Sequence, residues 1–166
     1  AVYVGCQWGM LTVLAKLGSP EQVGQFALGL AITAPIILFA NLGLRPIQAT
    51  DANRQYAFGE YLGLRLISTM LALLVIVGVM ALAGYRRETA LVVLVVGLAK
   101  SFEAVSDVFY GLFQQRERTD RVAWSLITRG FLSLAALGAC FYLTGSVVWS
   151  VAAMAAVWAG VLIGYD

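Results

Sequence analysis

Three long stretches of the chain carry no charge, over residues 22–44, 66–85 and 130–165, and the ionisable residues gather mostly between them. A bilayer core about 30 Å thick takes about 20 helical residues to cross. Each of the first two runs therefore predicts one crossing, and the last predicts two. With the shorter or interrupted apolar segments included, the pattern predicts six helices at about 1–17, 22–44, 62–84, 89–113, 122–143 and 147–163. The expected fold is all-α: a polytopic transmembrane bundle of six helices.

The breaks between runs carry turn chemistry. Ser19 is suited to an N-cap, Pro20 to the first helical position, and Gln22 to closing a capping box onto the Ser19 amide. Arg86, Arg87 and Glu88 turn the third predicted helix into the fourth. Thr144, Gly145 and Ser146 form the only polar break in the last run. The longest connection, 45–61, is too short for a soluble domain and is suited to a surface helix running into the third span. The chain starts at Ala1 inside an apolar run and stops at Asp166 directly after one, which suggests a fragment whose first helix lacks its beginning. Residues 1–166 are accordingly expected to be one amino-terminal transmembrane lobe.

Orientation follows from the Lys and Arg near the helix ends. Arg45, Arg54, Arg65, Arg116, Arg118 and Arg121 fall on one side, against Lys16, Arg86 and Arg87 on the other. The bias predicts that the second-to-third and fourth-to-fifth connections, and the amino terminus with them, are cytoplasmic. Tyr56, Phe58, Tyr61 and Trp124 are candidates for the aromatic belt at that interface. Small residues four apart, at Gly5 and Gly9, Gly59 and Gly63, and Ala152, Ala156, Gly160 and Gly164, read as close helix packing.

Composition narrows the function. The chain is 61% hydrophobic and 12% charged, with a mean hydropathy of +0.85, whereas soluble domains are about 45–50% apolar and about 25% charged. With no His, two Cys and nine carboxylates, there is no spacing for zinc or copper and no His-dependent triad. No phosphate-binding glycine motif occurs, and a dispersed net charge of +2 does not suit nucleic acid. Neither catalysis nor a cofactor is expected. Cys6 and Cys140 sit in apolar stretches and read as small core side chains.

The segment 98–114 is the exception to the apolar pattern. At 100° per residue, Lys100, Glu103, Asp107, Tyr110 and Gln114 fall within an arc of about 80°. Exposing Lys100 and Glu103 to lipid would cost about 2.5–3.5 kcal/mol per charge on the lenient scale, so the stripe is expected to face the protein interior. Lys100 and Glu103 lie one turn apart and can pair. For Asp107 the expected partner is Arg129, at similar depth on the next helix of an antiparallel hairpin. These charges either glue the bundle together or line a path for substrate or a coupling ion; intramembrane ionisable groups favour the second reading. Pro35, preceded by Thr33, kinks the second predicted helix and is a candidate hinge or a fixed bend. Asn41 and Gln7 are polar groups that can face the same interior.

These residues bring a resemblance. The stretch 14–44, LAKLGSPEQVGQFALGLAITAPIILFANLGL, resembles the start of bacterial polysaccharide flippases of the Wzx type, in the multidrug/oligosaccharidyl-lipid/polysaccharide exporter superfamily. Gln7-Trp8-Gly9, Gly59-Glu60-Tyr61-Leu62-Gly63-Leu64-Arg65 and the stretch from Gly111 to Asp120 are similar to it as well. The resemblance implies two pseudo-symmetric lobes in a MATE-like transporter of about twelve to fourteen helices, of which this chain is the amino-terminal one. It also implies alternating-access flipping of polyprenyl-diphosphate-linked sugars across the bacterial cytoplasmic membrane for surface polysaccharide, coupled to an ion gradient of H⁺ or Na⁺. Implied partners are the lipid-linked oligosaccharide, the bilayer, a polysaccharide polymerase and glycosyltransferases.

The family is expected to have a cationic interior. Here the spans supply Lys100 and Arg129 but also Glu103 and Asp107, so this lobe alone does not read as strongly cationic. The alternatives are an ion-coupled multidrug antiporter of the same superfamily, using Glu103 or Asp107, and a non-transporting membrane scaffold.

Overall fold

The expected capping box forms. In a computed structural model describing residues 2–51 and 55–166, the Ser19 hydroxyl accepts from the Gln22 amide at 3.3 Å, and the Gln22 side chain accepts from the Ser19 amide at 2.9 Å. This separates α1 (Val2–Leu17) from α2 (Pro20–Ala40). The remaining helices are α3 (Leu44–Thr50), α4 (Phe58–Ala83), α5 (Arg87–Gln115), α6 (Thr119–Thr144) and α7 (Val147–Gly164). Ala1 and Arg54, used above for the first helix and for orientation, lie outside the described residues.

The bundle is all-helical as expected, with one correction. The second predicted helix does not run to residue 44: α2 stops at Ala40, the chain turns through Leu42 and Gly43 in the left-handed region (φ 51° and 61°), and α3 continues along α5 as a separate short helix. Left-handed backbone costs a side-chain-bearing residue about 1–2 kcal/mol, so nothing in the apolar run announces a turn at Leu42. Gly84 and Gly145 adopt the same region where α4 and α6 end, a common way to close a helix.

Among the described residues, five segments are long and apolar enough to cross a membrane: Pro20–Thr50 (α2 with α3), α4, α5, α6 and α7. The 16 residues of α1 reach about 24 Å at 1.5 Å each, short of a full span. The chain is a multi-pass membrane protein.

The central helix is α5, which packs against α2, α3, α4, α6 and α7, while α1 rests on α6 and touches α2 only lightly. The main core gathers Leu14, Phe26, Val96, Leu137, Val151 and Trp158. The helices approach closely where α5 crosses α4: a Cβ on Gly97 would stand 3.1 Å from the Ile76 side chain.

Two packing expectations need correction. Gly9 does meet Leu134, but a Cβ added at Gly5, Gly59, Gly63, Gly160 or Gly164 would meet no other element within 4 Å, because those positions face outward from the bundle. Of the four belt aromatics, Tyr56 and Trp124 are exposed, whereas Tyr61 is buried with its hydroxyl on Asp51, and Phe58 packs against Phe109. The first turn of α4 turns Phe58 and Tyr61 toward α5 and α3, while Tyr56, before the helix, faces outward. Cys6 is buried and Cys140 half-buried, and both are free thiols.

Candidate functional site

The polar arc of α5 faces inward, as its periodicity requires. Lys100, Glu103, Asp107 and Tyr110 line one side of a cavity of about 410 Å³, closed by Tyr3 of α1, by Ala34, Ile37 and Leu38 of α2, by Asn41 and Arg45, and by Leu126 of α6. Lys100 Nζ donates to Glu103 Oε2 at 2.6 Å, so the expected pair forms; the other Glu103 oxygen accepts from the Tyr3 hydroxyl at 2.7 Å. Asn41 points into the same region, where it accepts a hydrogen bond from Arg65. Gln114 extends the stripe by accepting from Arg45 Nε at 3.1 Å.

The expected pairing of Asp107 with Arg129 does not occur. Asp107 Oδ1 binds Arg45 Nη1 at 2.9 Å, and Oδ2 binds Arg65 Nη2 at 3.4 Å. Arg129 instead donates to Ser106 Oγ at 2.5 Å and to Asp166 Oδ2 at 3.2 Å. Arg129 does lie at the depth of Asp107, since it reaches the neighbouring Ser106, but successive residues on a helix point 100° apart. That rotation turns Ser106 toward α6 and Asp107 toward α3 and α4.

Two arginines thus join the site that sequence reasoning assigned to a connection. Arg45 arrives because α3 continues along α5 past the end of α2. Arg65 is wholly buried and belongs to the inward stripe of α4, with Tyr61, Thr69, Ala72, Ile76 and Met80. That spacing of three and four was readable in the sequence, with Arg65 standing in an otherwise apolar or uncharged row. Arg45, Arg65 and Lys100 against Glu103 and Asp107 leave a cationic excess that Lys100 and Arg129 alone did not suggest.

Arg129 sits behind this cavity in a second polar cluster. Its guanidinium carbon lies 5.8 Å from the Tyr110 ring centre and 5.7 Å from that of Trp158, within cation–π range. Ser125 donates to Asp166 at 2.8 Å and contacts the Tyr110 hydroxyl at 2.7 Å. Ser133 accepts from the Trp158 indole at 2.6 Å. Tyr110 therefore stands between the two clusters, its ring also 5.5 Å from the Arg45 guanidinium. Pro35 lies in α2 and is exposed, one residue from the cavity-lining Ala34. No group of three or more His, Cys, Asp or Glu side chains poised for a metal occurs among the described residues.

Long apolar helices with ionisable side chains gathered around a cavity define a polytopic membrane protein with a polar interior. The chain belongs to the polysaccharide biosynthesis protein family, whose sequence profile it matches over residues 3–165. It is similar to the capsular polysaccharide biosynthesis protein CapF of Staphylococcus aureus, at 33% identity over 129 residues, covering 78% of this chain and 32% of that relative. The chain thus spans about a third of that protein's length. No solved structure matches it.

Proposed function

We propose that this chain lines part of the passage of a flippase that carries polyprenyl-diphosphate-linked oligosaccharide across the bacterial cytoplasmic membrane by alternating access. The observation that carries the reading is the placing of Arg45 and Lys100, paired with Asp107 and Glu103, on the wall of a cavity in an otherwise apolar bundle, with Arg65 buried behind Asp107. A diphosphate passing through the membrane needs charge-assisted donors, and Arg45 and Lys100 are the two cations that line the cavity. Glu103 and Asp107 hold those donors in place and supply acceptors that sugar hydroxyls can exchange for. In this reading Lys100, Glu103, Asp107, Tyr110 and Gln114 form the pathway wall, Arg129 fixes Tyr110 from behind, and Pro35 is the hinge of α2. The chain is one lobe of a longer two-lobed transporter, with no catalytic step of its own.

The side of α3 and of the α5–α6 connection is the cytoplasmic one. Arg45 and Arg65 are engaged with Asp107, but Arg116, Arg118 and Arg121 remain exposed there. Coupling to H⁺ or Na⁺, with a polymerase and glycosyltransferases acting beside the flippase, completes the proposal.

Reconstitution of the full-length protein tests it. Movement of a fluorescent polyprenyl-diphosphate glycan between leaflets is expected. Gradient-driven efflux of organic cations without any glycan movement would instead favour the antiporter reading, for which Glu103 and Asp107 supply carboxylates in the cavity.

A further inference from the structure

A second cavity, of about 310 Å³, adjoins the charged one, and Ala34 and Lys100 line both. Its walls are otherwise apolar apart from Gln7: Met10 and Leu11 of α1, Phe26 and Leu30 of α2, Val96 of α5 and Met154 of α7 contribute. The two lie in series along the helices. On α2 the lining runs from Phe26 to Ala34 in the apolar cavity and from Ala34 to Leu38 in the charged one, with Asn41 just beyond the helix; on α5 it runs from Val96 to Lys100 and then from Lys100 to Tyr110. Val96 and Tyr110 are about 21 Å apart along the axis at 1.5 Å per residue, a large part of a bilayer core about 30 Å thick.

The polarity therefore changes once, at Lys100, from charged on the α3 side to apolar toward the α1–α2 connection. Lys100 carries both characters. Its ammonium pairs with Glu103 in the charged cavity and lies 5.3 Å from the ring centre of Trp158, which lines the apolar one. A lipid in the leaflet on the α3 side is polarised the same way, with its headgroup at the membrane surface and its chain toward the bilayer centre.

We propose that the two cavities are one amphipathic site, in which Lys100 binds the lipid-proximal phosphate of the substrate and the apolar cavity holds the first isoprene units of its chain. The inference rests on the flippase reading and adds where the lipid portion goes. A chain leaving lipid for this cavity gains no hydrophobic transfer energy, because its surroundings are apolar in both places; packing against the walls is what remains. The cavity thus selects the branched shape of an isoprenoid and sets the depth of the diphosphate, rather than supplying bulk affinity.

The test uses the full-length protein in proteoliposomes and a polyprenyl-diphosphate glycan with a diazirine on the isoprene unit nearest the diphosphate. Photolysis is expected to label peptides containing Leu11, Leu30 or Met154, and Leu30→Trp is expected to cut that labelling about tenfold, the loss of one well-placed contact. Labelling confined to the outward positions Phe39 and Leu74, with flipping intact, would overturn the tail site and leave the flippase reading standing. Absence of both labelling and flipping would overturn the two together. Mapping on the unaltered protein decides the matter even if the tryptophan variant does not fold.

Discussion

The Asp107 carboxylate lies 3.4 Å from the guanidinium of Arg65, a side chain with no exposed surface. Arg65 reaches Asn41 with its other terminal nitrogen, so one buried cation joins α4, α5 and the end of α2. Removing one partner of a buried pair strands the other charge, at a cost of about 3–5 kcal/mol when both are fully enclosed. Asp107 is a quarter exposed and also bound by Arg45, which softens the effect. Asp107→Asn is therefore expected to lose about 2 kcal/mol, and Arg65→Met made together with it to recover part of that loss. Unfolding of the four proteins in one detergent checks this; additive losses would show that the pair is not coupled.

Arg129 depends on shape as well as charge. Its planar group donates to Ser106 and Asp166 while lying near two aromatic rings, which an ammonium cannot reproduce. Arg129→Lys is expected to destabilise by about 2–3 kcal/mol. Arg118→Lys, at an exposed pair 3.8 Å apart, is expected to stay within about 0.5 kcal/mol. Thermal unfolding of both variants provides the comparison.

The arginines also mark how far the sequence could be read. The helix order, the inward face of α5 and the Lys100–Glu103 pair follow from periodicity and local spacing, because both act within one helix. Arg65 was legible as the charged member of the buried stripe of α4, yet it borders the uncharged run that starts at Leu66 and so passed for a connection residue. Arg45 was not legible. Its place depends on a left-handed turn at Leu42 and Gly43, which apolar patterning does not encode. The partner of Asp107 required the azimuth of α6 about α5, a tertiary quantity that hairpin depth leaves open.

The seat of α3 can be tested at a glycine. A Cβ on Gly111 would collide with the Gln48 side chain, which is buried between α3 and α5. Gly111→Ala is expected to cost about 1–3 kcal/mol through overpacking and to displace Arg45 from Asp107. Gly63→Ala, with open space around it, is expected to be neutral or stabilising by up to about 1 kcal/mol. Chemical denaturation of the two variants separates these outcomes.

At the opposite end of the bundle, Gln22 does two jobs. It closes the capping box on Ser19, and its amide nitrogen donates to the Gly145 carbonyl at 2.9 Å, joining the α1–α2 and α6–α7 connections. Ser19→Ala is expected to lose about 1 kcal/mol. Gln22→Ala is expected to lose more, about 1–2 kcal/mol, because it removes both contacts. Unfolding temperatures rank the two; the reverse order would show that the Gly145 contact contributes nothing.

The central claim is that Arg45 and Lys100 present the charge that carries the anionic head of the substrate. Its most direct measurement is the rate at which the full-length protein, in proteoliposomes, moves a polyprenyl-diphosphate glycan between leaflets, compared with the Arg45→Gln/Lys100→Gln double variant. Hydrogen bonds to charged groups are worth about 1.5–3 kcal/mol each, so the double variant is expected to flip at least about a hundredfold more slowly, measured below an unfolding temperature that the stranded Asp107 and Glu103 carboxylates lower. Flipping at the wild-type rate by a folded double variant would contradict the account.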